Sequence, residues 1–202
     1  AGLDLDGTAR TMTVNVTSVN DAPVGANNTV TTLEDTAYTF TAADFGFTDP
    51  TDAASVAGAN ALTAVKIVAL PGAGTLTNNG VAVNAGDFVS VADINAGNLK
   101  FTPVANANGA GYASFTFQVQ DDGGTANAGV DLDTAARTMT LNVTSVNDAP
   151  VGANNTVTTL EDTAYTFTAA DFGFTDPTDA ASVAGANALL NVKITTLPGA
   201  GT

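Results

Sequence analysis

Apolar and polar residues alternate along short runs of the chain, and the pattern is clearest between residues 137 and 146. There Met139, Leu141 and Val143 fall on one side, and the residues between them are threonine or asparagine. The run 112–120 shows the same alternation with Phe115 and Phe117. Because successive side chains of a β-strand point to opposite faces, each run predicts a strand with one face in a core.

Other predicted strands contain pairs of apolar residues two positions apart. These pairs are Tyr38 with Phe40, Val65 with Ile67, and Leu99 with Phe101. Turn-forming residues separate the runs: Pro71-Gly72, Asn78-Asn79-Gly80, Asn108-Gly109 and Gly123-Gly124. Seven or so short strands at this spacing predict an all-β fold, an antiparallel β-sandwich.

One stretch departs from the strand pattern. Ser90 is followed three residues later by Asp93, and Gly97 closes the stretch after Ile94. Serine is a preferred N-cap and glycine commonly follows the last helical turn, so a single capped turn of helix is predicted here.

The chain repeats itself at an offset of 127 residues. The overlap has 67 identities in 75 positions without a gap, and the run 24–62 recurs unchanged at 151–189. A repeat of this length is a whole domain rather than one coil of a solenoid. With the boundary at the sequence VNDAP, residues 21–147 form one complete repeat. Residues 1–20 are then the C-terminal strand region of a preceding repeat, and residues 148–202 are the N-terminal part of the next.

Composition narrows the possible functions. The chain has 20 acidic and 5 basic residues, a formal net charge of −15, and no histidine, cysteine or tryptophan. The sequence therefore offers no imidazole base, thiolate nucleophile or Cys/His zinc site, and an enzyme is not expected. Nucleic acid is not an expected partner, because binding phosphates requires lysine and arginine. No apolar run approaches 18 residues, so we expect no direct membrane insertion in this stretch.

Most acidic residues lie in predicted turns rather than on strands. Besides Asn20 and Asp21 at the repeat boundary, these loop residues are Glu34, Asp35, Asp44, Asp49, Asp52, Asp121 and Asp122. We expect the loops to meet at one end of the sandwich, where carboxylates repel each other unless a cation neutralises them. The acidity indicates either a solvated surface or a cation site. Flexible loops rich in oxygen ligands favour calcium over magnesium.

A second acidic pair, Asp131 and Asp133, has its copy in Asp4 and Asp6. Two interpretations stay open for these four residues. They either join a cation site or keep a long loop soluble.

The segment SVNDAPVGANNTVTTLEDTAYTFTAADFGFTDPTD resembles the start of the cadherin-like tandem repeats found in giant bacterial surface proteins and RTX-type adhesins. The resemblance covers the whole chain, because both flanking pieces belong to the same unit. It implies tandem β-sandwich modules of Ig-like or cadherin-like fold. In the more distantly similar animal cadherins, an acidic linker, an early glutamate, a DxD pair and a later acidic motif bind calcium between successive domains.

By that resemblance, the linker role falls on Asn20 with Asp21, and the early glutamate corresponds to Glu34. Asp49 and Asp52 stand for the DxD pair but have one more residue between them. The linker also has fewer acids than the animal pattern, so we expect one or two ions per junction rather than three. With the loop acids, the expected calcium ligands are Asn20, Asp21, Glu34, Asp35, Asp49, Asp52, Asp121, Asp122, Asn147, Asp148, Glu161, Asp162, Asp176 and Asp179.

Calcium at a junction would join ligands from two repeats and turn a flexible string into a rod. We therefore expect a structural extender or stalk of a secreted or surface-bound bacterial adhesin or fibre. Its partners would be the neighbouring repeats of the same chain and, in a fibre, other copies of itself. Extracellular calcium is millimolar, which favours an extracellular location at the bacterial cell surface.

Two alternatives stay open. Loops presenting Tyr112, Asn106 and Asn108 could bind a glycan or a protein, and an exposed stacked aromatic is the feature that would favour this. Threonine-rich strand faces could instead associate sideways into a filament, which symmetric contacts away from the repeat boundary would indicate.

Overall fold

The computed structural model describes residue 2 and residues 4–199. Nine strands lie between residues 28 and 144 and form two sheets around one core. The strands are β1 (Asn28–Leu33), β2 (Tyr38–Thr39), β3 (Leu62–Ala69), β4 (Thr75–Asn78), β5 (Val81–Ala82), β6 (Phe88–Ser90), β7 (Leu99–Thr102), β8 (Gly109–Asp121) and β9 (Arg137–Thr144). The α-helical turns are α1 (Pro50–Ala53), α2 (Val91–Asn95) and α3 (Pro177–Ala180). Single 3-10 turns span Ala42–Phe45, Ala126–Ala128 and Ala169–Phe172.

One sheet has the strand order β1-β9-β8-β3-β6 and the other has β2-β7-β4-β5. The all-β sandwich is confirmed, and its strands pair antiparallel except at β1. That strand pairs parallel with β9, from Asn28 opposite Met139 to Leu33 opposite Thr144. Both strands run in the same direction because the chain enters the repeat at one end of the sandwich and leaves it at the other. We call the entry end the upper end and the exit end the lower end.

The core contains the residues that the alternating pattern placed inside. Met139, Leu141 and Val143 of β9 are buried, while the residues between them are partly exposed. Phe115 and Phe117 of β8 are also buried. The other predicted inner residues that are buried are Phe40, Val65, Ile67, Leu99 and Phe101. Their burial confirms the strand interpretation of the sequence.

Aromatic rings join the two sheets inside this core. The rings of Phe40 and Phe115 lie 5.5 Å apart at an interplanar angle of 90°. Phe45, from the 3-10 turn, meets Phe117 at 5.0 Å and 84°. Edge-to-face pairs of this kind are favoured by the aromatic quadrupole. The two contacts fix the connection between β2 and α1 against the sheet that carries β8.

The predicted helical turn is confirmed as α2. The Ser90 hydroxyl oxygen accepts the backbone N–H of Asp93 at 3.0 Å, and Gly97 has a φ of +73°. The sequence pattern did not indicate α1, which begins at Pro50 after Asp49. Proline is well tolerated in the first turn of a helix, because its missing N–H has no intrahelical partner there.

The flanking pieces differ from the complete repeat although their sequences are nearly the same. In residues 148–199 the structure describes a bridge between Val151 and Thr175, a 3-10 turn and α3, but no strand. Phe167, the copy of the fully buried Phe40, is 60% exposed. Residues 148–202 contain no counterparts of residues 76–127, so several strands that cover this face in the complete repeat have no equivalent here.

Candidate functional site

The acidic loops divide between the two ends of the complete repeat. At the upper end, loops from four parts of the chain bring together a set that we call the upper cluster: Asn20, Asp21, Asp49, Asp52, Asn60 and Asp121. Glu34 and Asp35 lie at the lower end, where β1 and β9 finish. The expectation that all these acids meet at one end is therefore wrong for Glu34 and Asp35, because β1 carries the chain along the whole sandwich before they occur.

Asn20 connects the linker to the loop after β8. Its side-chain amide Nδ2 donates to Asp121 Oδ1 at 3.1 Å, to the carbonyl of Gly124 at 3.1 Å and to that of Val130 at 2.8 Å. The backbone N–H of Val130 donates back to the Asn20 carbonyl at 3.0 Å. The linker is thus fixed onto the upper end of the repeat that follows it.

Asp49 and Asp52 hold the other side of the upper cluster. Asp52 Oδ2 accepts the backbone N–H of Asp21 at 2.8 Å and Asn60 Nδ2 at 3.3 Å. Asp49 Oδ2 accepts the backbone N–H of Asn60 at 2.6 Å. Asn60 Nδ2 also donates to Asn20 Oδ1. The two aspartates occupy one position before α1 and one within it, so this short turn sets their spacing.

Three carboxylates of the upper cluster are almost completely buried. Asp49 is 5% exposed, Asp52 is 2% exposed and Asp121 is 3% exposed. Within residues 2 and 4–199, the buried atoms Asp49 Oδ1 and Asp121 Oδ2 have no hydrogen-bond partner. An unpaired buried carboxylate oxygen is costly, and in native proteins such an atom commonly marks an ion or an ordered water.

Burial and nearby negative charge both act on the carboxyl of Asp121. Burial, followed by the negative charges of Asp49 and Asp131, raises the pKa of the Asp121 carboxyl. Hydrogen bonds from Gly123 and Asn20 oppose the rise but do not cancel it. The ionised form of Asp121 is therefore disfavoured in the protein alone, and a bound cation would reverse that preference.

The remaining upper-end acids have separate roles. Asp122 is exposed and accepts the backbone N–H of Ala61 at 2.7 Å. Asp131 accepts Gln120 Nε2 at 3.1 Å and lies near enough to repel Asp121. Asp44 is not in the cluster, because its carboxylate accepts the backbone N–H of Thr41 at 2.7 Å and caps the 3-10 turn.

Asp133 forms an ion pair rather than extending the cluster. It is 1% exposed, and its two oxygens accept Arg137 Nε at 2.9 Å and Nη2 at 3.1 Å. It also accepts the backbone N–H of Gly25 at 2.9 Å, which ties the start of the repeat to the start of β9. Against the opposing effect of burial, these hydrogen bonds and the Arg137 charge lower the pKa of the Asp133 carboxyl.

The next repeat begins with the same arrangement as the upper cluster. Asp148 donates its backbone N–H to Asp179 Oδ2 at 3.1 Å, as Asp21 does to Asp52. The backbone N–H of Asn187 donates to Asp176 Oδ2 at 2.7 Å, and its Nδ2 donates to Asn147 Oδ1 at 2.6 Å. Asp176 Oδ1 is again buried, and no described residue donates a hydrogen bond to it. We call these five residues the second upper cluster.

The second upper cluster faces the lower end of the complete repeat. Glu34 is 3% exposed, and its Oε1 accepts the backbone N–H of Val146 in the linker at 2.5 Å. Partial desolvation, followed by the negative charges of Asp179, Glu34, Asp35 and Asp176, raises the pKa of the Asp148 carboxyl. The junction therefore gathers carboxylates from two successive repeats around the linker.

The sequence profile of the bacterial Ig domain matches residues 20–133. The chain belongs to the bacterial Ig domain family. No curated protein and no solved structure matched the chain. The match supports an Ig-like repeat, and it does not single out the cadherin-like repeats of RTX-type adhesins. It begins at Asn20 and so includes the upper cluster.

Bacterial Ig domains are structural, non-catalytic domains that typically occur in surface or extracellular proteins. Among the described residues, no helix is long and apolar enough to cross a membrane. The conclusion that the family supports directly is a module of a bacterial surface protein.

The region that matches the bacterial Ig domain does not offer a ready-made site of carboxylates alone. Within residues 2 and 4–199, no group of three or more acidic side chains is spaced to hold a metal ion. The clusters mix carboxylates with the amides of Asn20 and Asn60, and calcium also accepts amide and backbone carbonyl oxygens. Two other predicted ligands, Glu161 and Asp162, are exposed, and neither carboxylate accepts a hydrogen bond within the described part of the chain.

Two asparagines at the junctions were not expected from the sequence as site residues. Asn60 recurs as Asn187 inside the unchanged run, so its repetition beside the aspartates was the available signal. The sequence indicates Asn108 only as a candidate sugar contact, and residues 1–202 contain no second copy of it. Its partners come from strands and loops that are distant in sequence, which a linear pattern does not reveal.

Proposed function

We propose that this chain is an extender segment of a bacterial surface protein or adhesin, with calcium ions bound at the junctions between repeats. The observation that carries the proposal is the position of the acids. The chain enters each bacterial Ig repeat at the upper end, leaves at the lower end, and carries buried carboxylates at both. Repeats joined in this way extend in one direction, and each junction adds ligands from both neighbours.

Calcium is the cation that these donors fit best. Asp49, Asp52 and Asp121, with the amide oxygen of Asn20, would hold an ion at the upper cluster after their side chains close around it, since their present spacing does not form a metal site. The two buried oxygens Asp49 Oδ1 and Asp121 Oδ2 support this assignment, because neither has a hydrogen-bond partner among the described residues. Magnesium prefers a small octahedral site with several waters, whereas calcium accepts many protein oxygens from flexible loops.

At a junction, Glu34 and Asp35 of one repeat would contribute with Asp148, Asp176 and Asp179 of the next. Desolvation, followed by repulsion from neighbouring carboxylates, raises the pKa of Asp148, and a bound cation would remove the repulsion. One or two ions per junction match the number of carboxylates.

Thermodynamic linkage between calcium binding and folding gives the size of the stabilisation at a junction. An ion that binds only the folded junction stabilises it by about 2.7 kcal/mol when its concentration is a hundredfold above Kd. Millimolar calcium outside the cell would meet that condition for a site of micromolar affinity. The proposal therefore includes export of the chain to the cell surface.

Thermal unfolding in calcium and in excess chelator tests the proposal. We expect 5 mM calcium to raise the Tm of the 202-residue chain by roughly 10 °C, and equal magnesium to raise it by much less. Asp49→Asn with Asp121→Asn should abolish the calcium-dependent rise. The control is Asp87→Asn, since Asp87 is an exposed turn residue outside both clusters. An equal Tm with calcium and with chelator would contradict the proposal.

Glycan recognition is the main alternative function. Tyr112, the aromatic residue that could stack on a sugar, makes its contacts within the repeat instead. Tyr112 is half-buried, its ring packs edge-on against Phe101 at 6.3 Å, and its hydroxyl accepts the backbone N–H of Val104 at 3.2 Å. A sugar-stacking platform needs an exposed ring face. No observation on the described residues favours this alternative over the extender.

A further inference from the structure

A direct hydrogen-bonded contact links the complete repeat to the next one at Asn108. This residue lies just before β8 at the lower end, beside Glu34. Its Nδ2 donates to Glu34 Oε2 at 2.8 Å, and its Oδ1 accepts the backbone N–H of Val183 at 3.1 Å. One side-chain amide therefore joins a buried carboxylate of one repeat to the backbone of the following repeat.

Glu34 extends this connection to the linker. While Oε2 accepts from Asn108, Oε1 accepts the backbone N–H of Val146. The linker and the Val183 loop are thus held through the same carboxylate. Because Glu34 is almost fully buried, its orientation is fixed by the protein around it, and so is the direction of the Asn108 amide.

The loop that reaches Asn108 has a defined shape. Residues 182–185 follow α3, and the backbone N–H of Gly185 donates to the Ser182 carbonyl at 3.2 Å. Gly185 has a φ of +78°, a conformation that glycine adopts readily. The loop is therefore a closed turn that presents the Val183 N–H outward.

A crevice of about 320 Å³ lies between the loop and the complete repeat. Its walls are Asn108, Gly109, Ala110 and Val143 to Ser145 on one side, and Val183 and Ala184 on the other. Val56, the copy of Val183 in the complete repeat, is fully exposed. Val183 itself is still 83% exposed beside the crevice, so the backbone hydrogen bond to Asn108, rather than apolar burial, holds the loop.

We propose that Asn108 is the docking residue for the loop 182–185 of the following repeat, and that this contact sets the angle between repeats without a cation. The inference deepens the proposed extender function, because it concerns the same junction. The two contributions to the junction differ in mechanism. Calcium would remove the repulsion between carboxylates, while Asn108 fixes the orientation of one repeat relative to the next. The contact is heterologous, since one surface of a repeat meets a different surface of its neighbour, and such contacts continue indefinitely along a chain.

The test measures the distance between two spin labels on the full 202-residue chain. The chain has no cysteine, so Ala82→Cys in the complete repeat and Ala170→Cys in the next give unique attachment sites, and both positions are exposed. Double electron–electron resonance is recorded in excess chelator and in calcium. We expect a single narrow distance distribution in chelator.

Three variants separate docking from local effects. Asn108→Ala removes both hydrogen bonds, and Val183→Pro removes the donor N–H while leaving Asn108 in place. Both should broaden the distribution in chelator at least twofold. Val56→Pro is the matched control, because it makes the same change in an identical loop that meets no Asn108 in this chain, and it should leave the distribution unchanged.

The outcomes distinguish the two proposals. A distribution that is already broad in chelator, or one that Asn108→Ala leaves narrow, overturns the docking role. If calcium alone narrows a broad distribution, the calcium junction stands and the Asn108 inference fails. If Asn108→Ala broadens the distribution while calcium changes nothing, docking is supported and the calcium proposal fails. A Tm for Asn108→Ala equal to that of the parent chain shows that the complete repeat still folds.

Discussion

Asn20 and Asp121 are separated by 101 residues, and the Asn20 side-chain amide donates to the Asp121 carboxylate at 3.1 Å. The contact fastens the linker to the repeat that follows it. It depends on a missing side chain at Gly123, where a Cβ atom would lie 1.8 Å from Asn20 Oδ1. The position of the linker therefore depends on the polar side chains of Asn20 and Asp121 and on the space left by the missing side chain of Gly123.

Gly123→Ala should displace Asn20 from the upper cluster. The added methyl group overlaps both Asn20 and Asn60, so we expect a loss of about 1–3 kcal/mol in the free energy of unfolding. Chemical denaturation measures the change. The control is Gly72→Ala, because a Cβ there meets no atom within 4 Å and the backbone φ is not positive. Equal stability of the two variants would show that the overlap is relieved without cost.

Asp121→Asn tests the charge balance of the upper cluster in excess chelator. Since the pKa of Asp121 is raised on folding, the folded protein holds this proton more tightly, and the related stability is present at low pH and lost as pH rises. Asparagine keeps the acceptor for Asn20 without the charge. We expect the variant to melt a few degrees higher than the parent at pH 7.

The advantage of Asp121→Asn should disappear as pH falls to about 4, where the ordinary aspartate carboxyl is half-protonated. In calcium at pH 7 the order should reverse, because the variant loses a ligand. Melting curves across pH with and without chelator provide the check. A variant that is less stable than the parent at pH 7 in chelator would show that Asp121 is not repelled by its neighbours.

Asp133→Asn should destabilise the complete repeat by about 3 kcal/mol, because it leaves Arg137 without its buried partner. The pKa of Asp133 is lowered on folding, so its contribution is present near neutral pH and is lost as the carboxyl protonates on acidification. The parent and the variant should therefore converge in stability at low pH. Urea unfolding at several pH values measures both effects.

The chain supplies a matched control for this pair. Asp6 and Arg10 form the same i, i+4 contact at 3.0 Å, but both side chains are more than half exposed. Asp6→Asn should change the free energy of unfolding by less than about 0.5 kcal/mol. A similar loss in both variants would mean that the aspartate–arginine contact itself stabilises the repeat. The burial of Asp133 and its hydrogen bond from Gly25 would then contribute little.

Phe40→Ala and Phe167→Ala compare one residue in two environments. Phe40 is fully buried and contacts Phe115, so its truncation should cost about 3–5 kcal/mol. Phe167 is 60% exposed in this chain, and its truncation should have little effect on the main unfolding transition. Large losses in both variants would show that residues 148–199 are packed more fully than the structure indicates.

The strands were predictable because burial follows a period of two, which residues such as Leu141 and Phe117 make visible. The parallel pairing of β1 was not, since strand direction depends on where the chain enters and leaves the sandwich. Glu34 illustrates the same limit for the site. Sequence placed it beside a strand, but only the fold shows that it lies at the opposite end from Asp49 and faces Asp148.

The helical turn α2 was predictable, because one local side chain, the N-cap Ser90, determines where it begins. The upper cluster was predictable in part, since repeated aspartates in loops indicate a shared function. The role of Asn20 as a donor to Asp121, and the space left by Gly123, arise from contacts across about a hundred residues. No local pattern encodes such contacts.

Small-angle X-ray scattering with calcium and then with excess chelator tests the central claim most directly. We expect a longer particle in calcium than in chelator, because the ion removes the repulsion between carboxylates of two repeats, while the Asn108 contact keeps the junction ordered in both conditions. Asp49→Asn with Asp121→Asn and Asp176→Asn should behave in calcium as the parent does in chelator. Identical scattering of the parent chain in both conditions would contradict a calcium-stiffened extender.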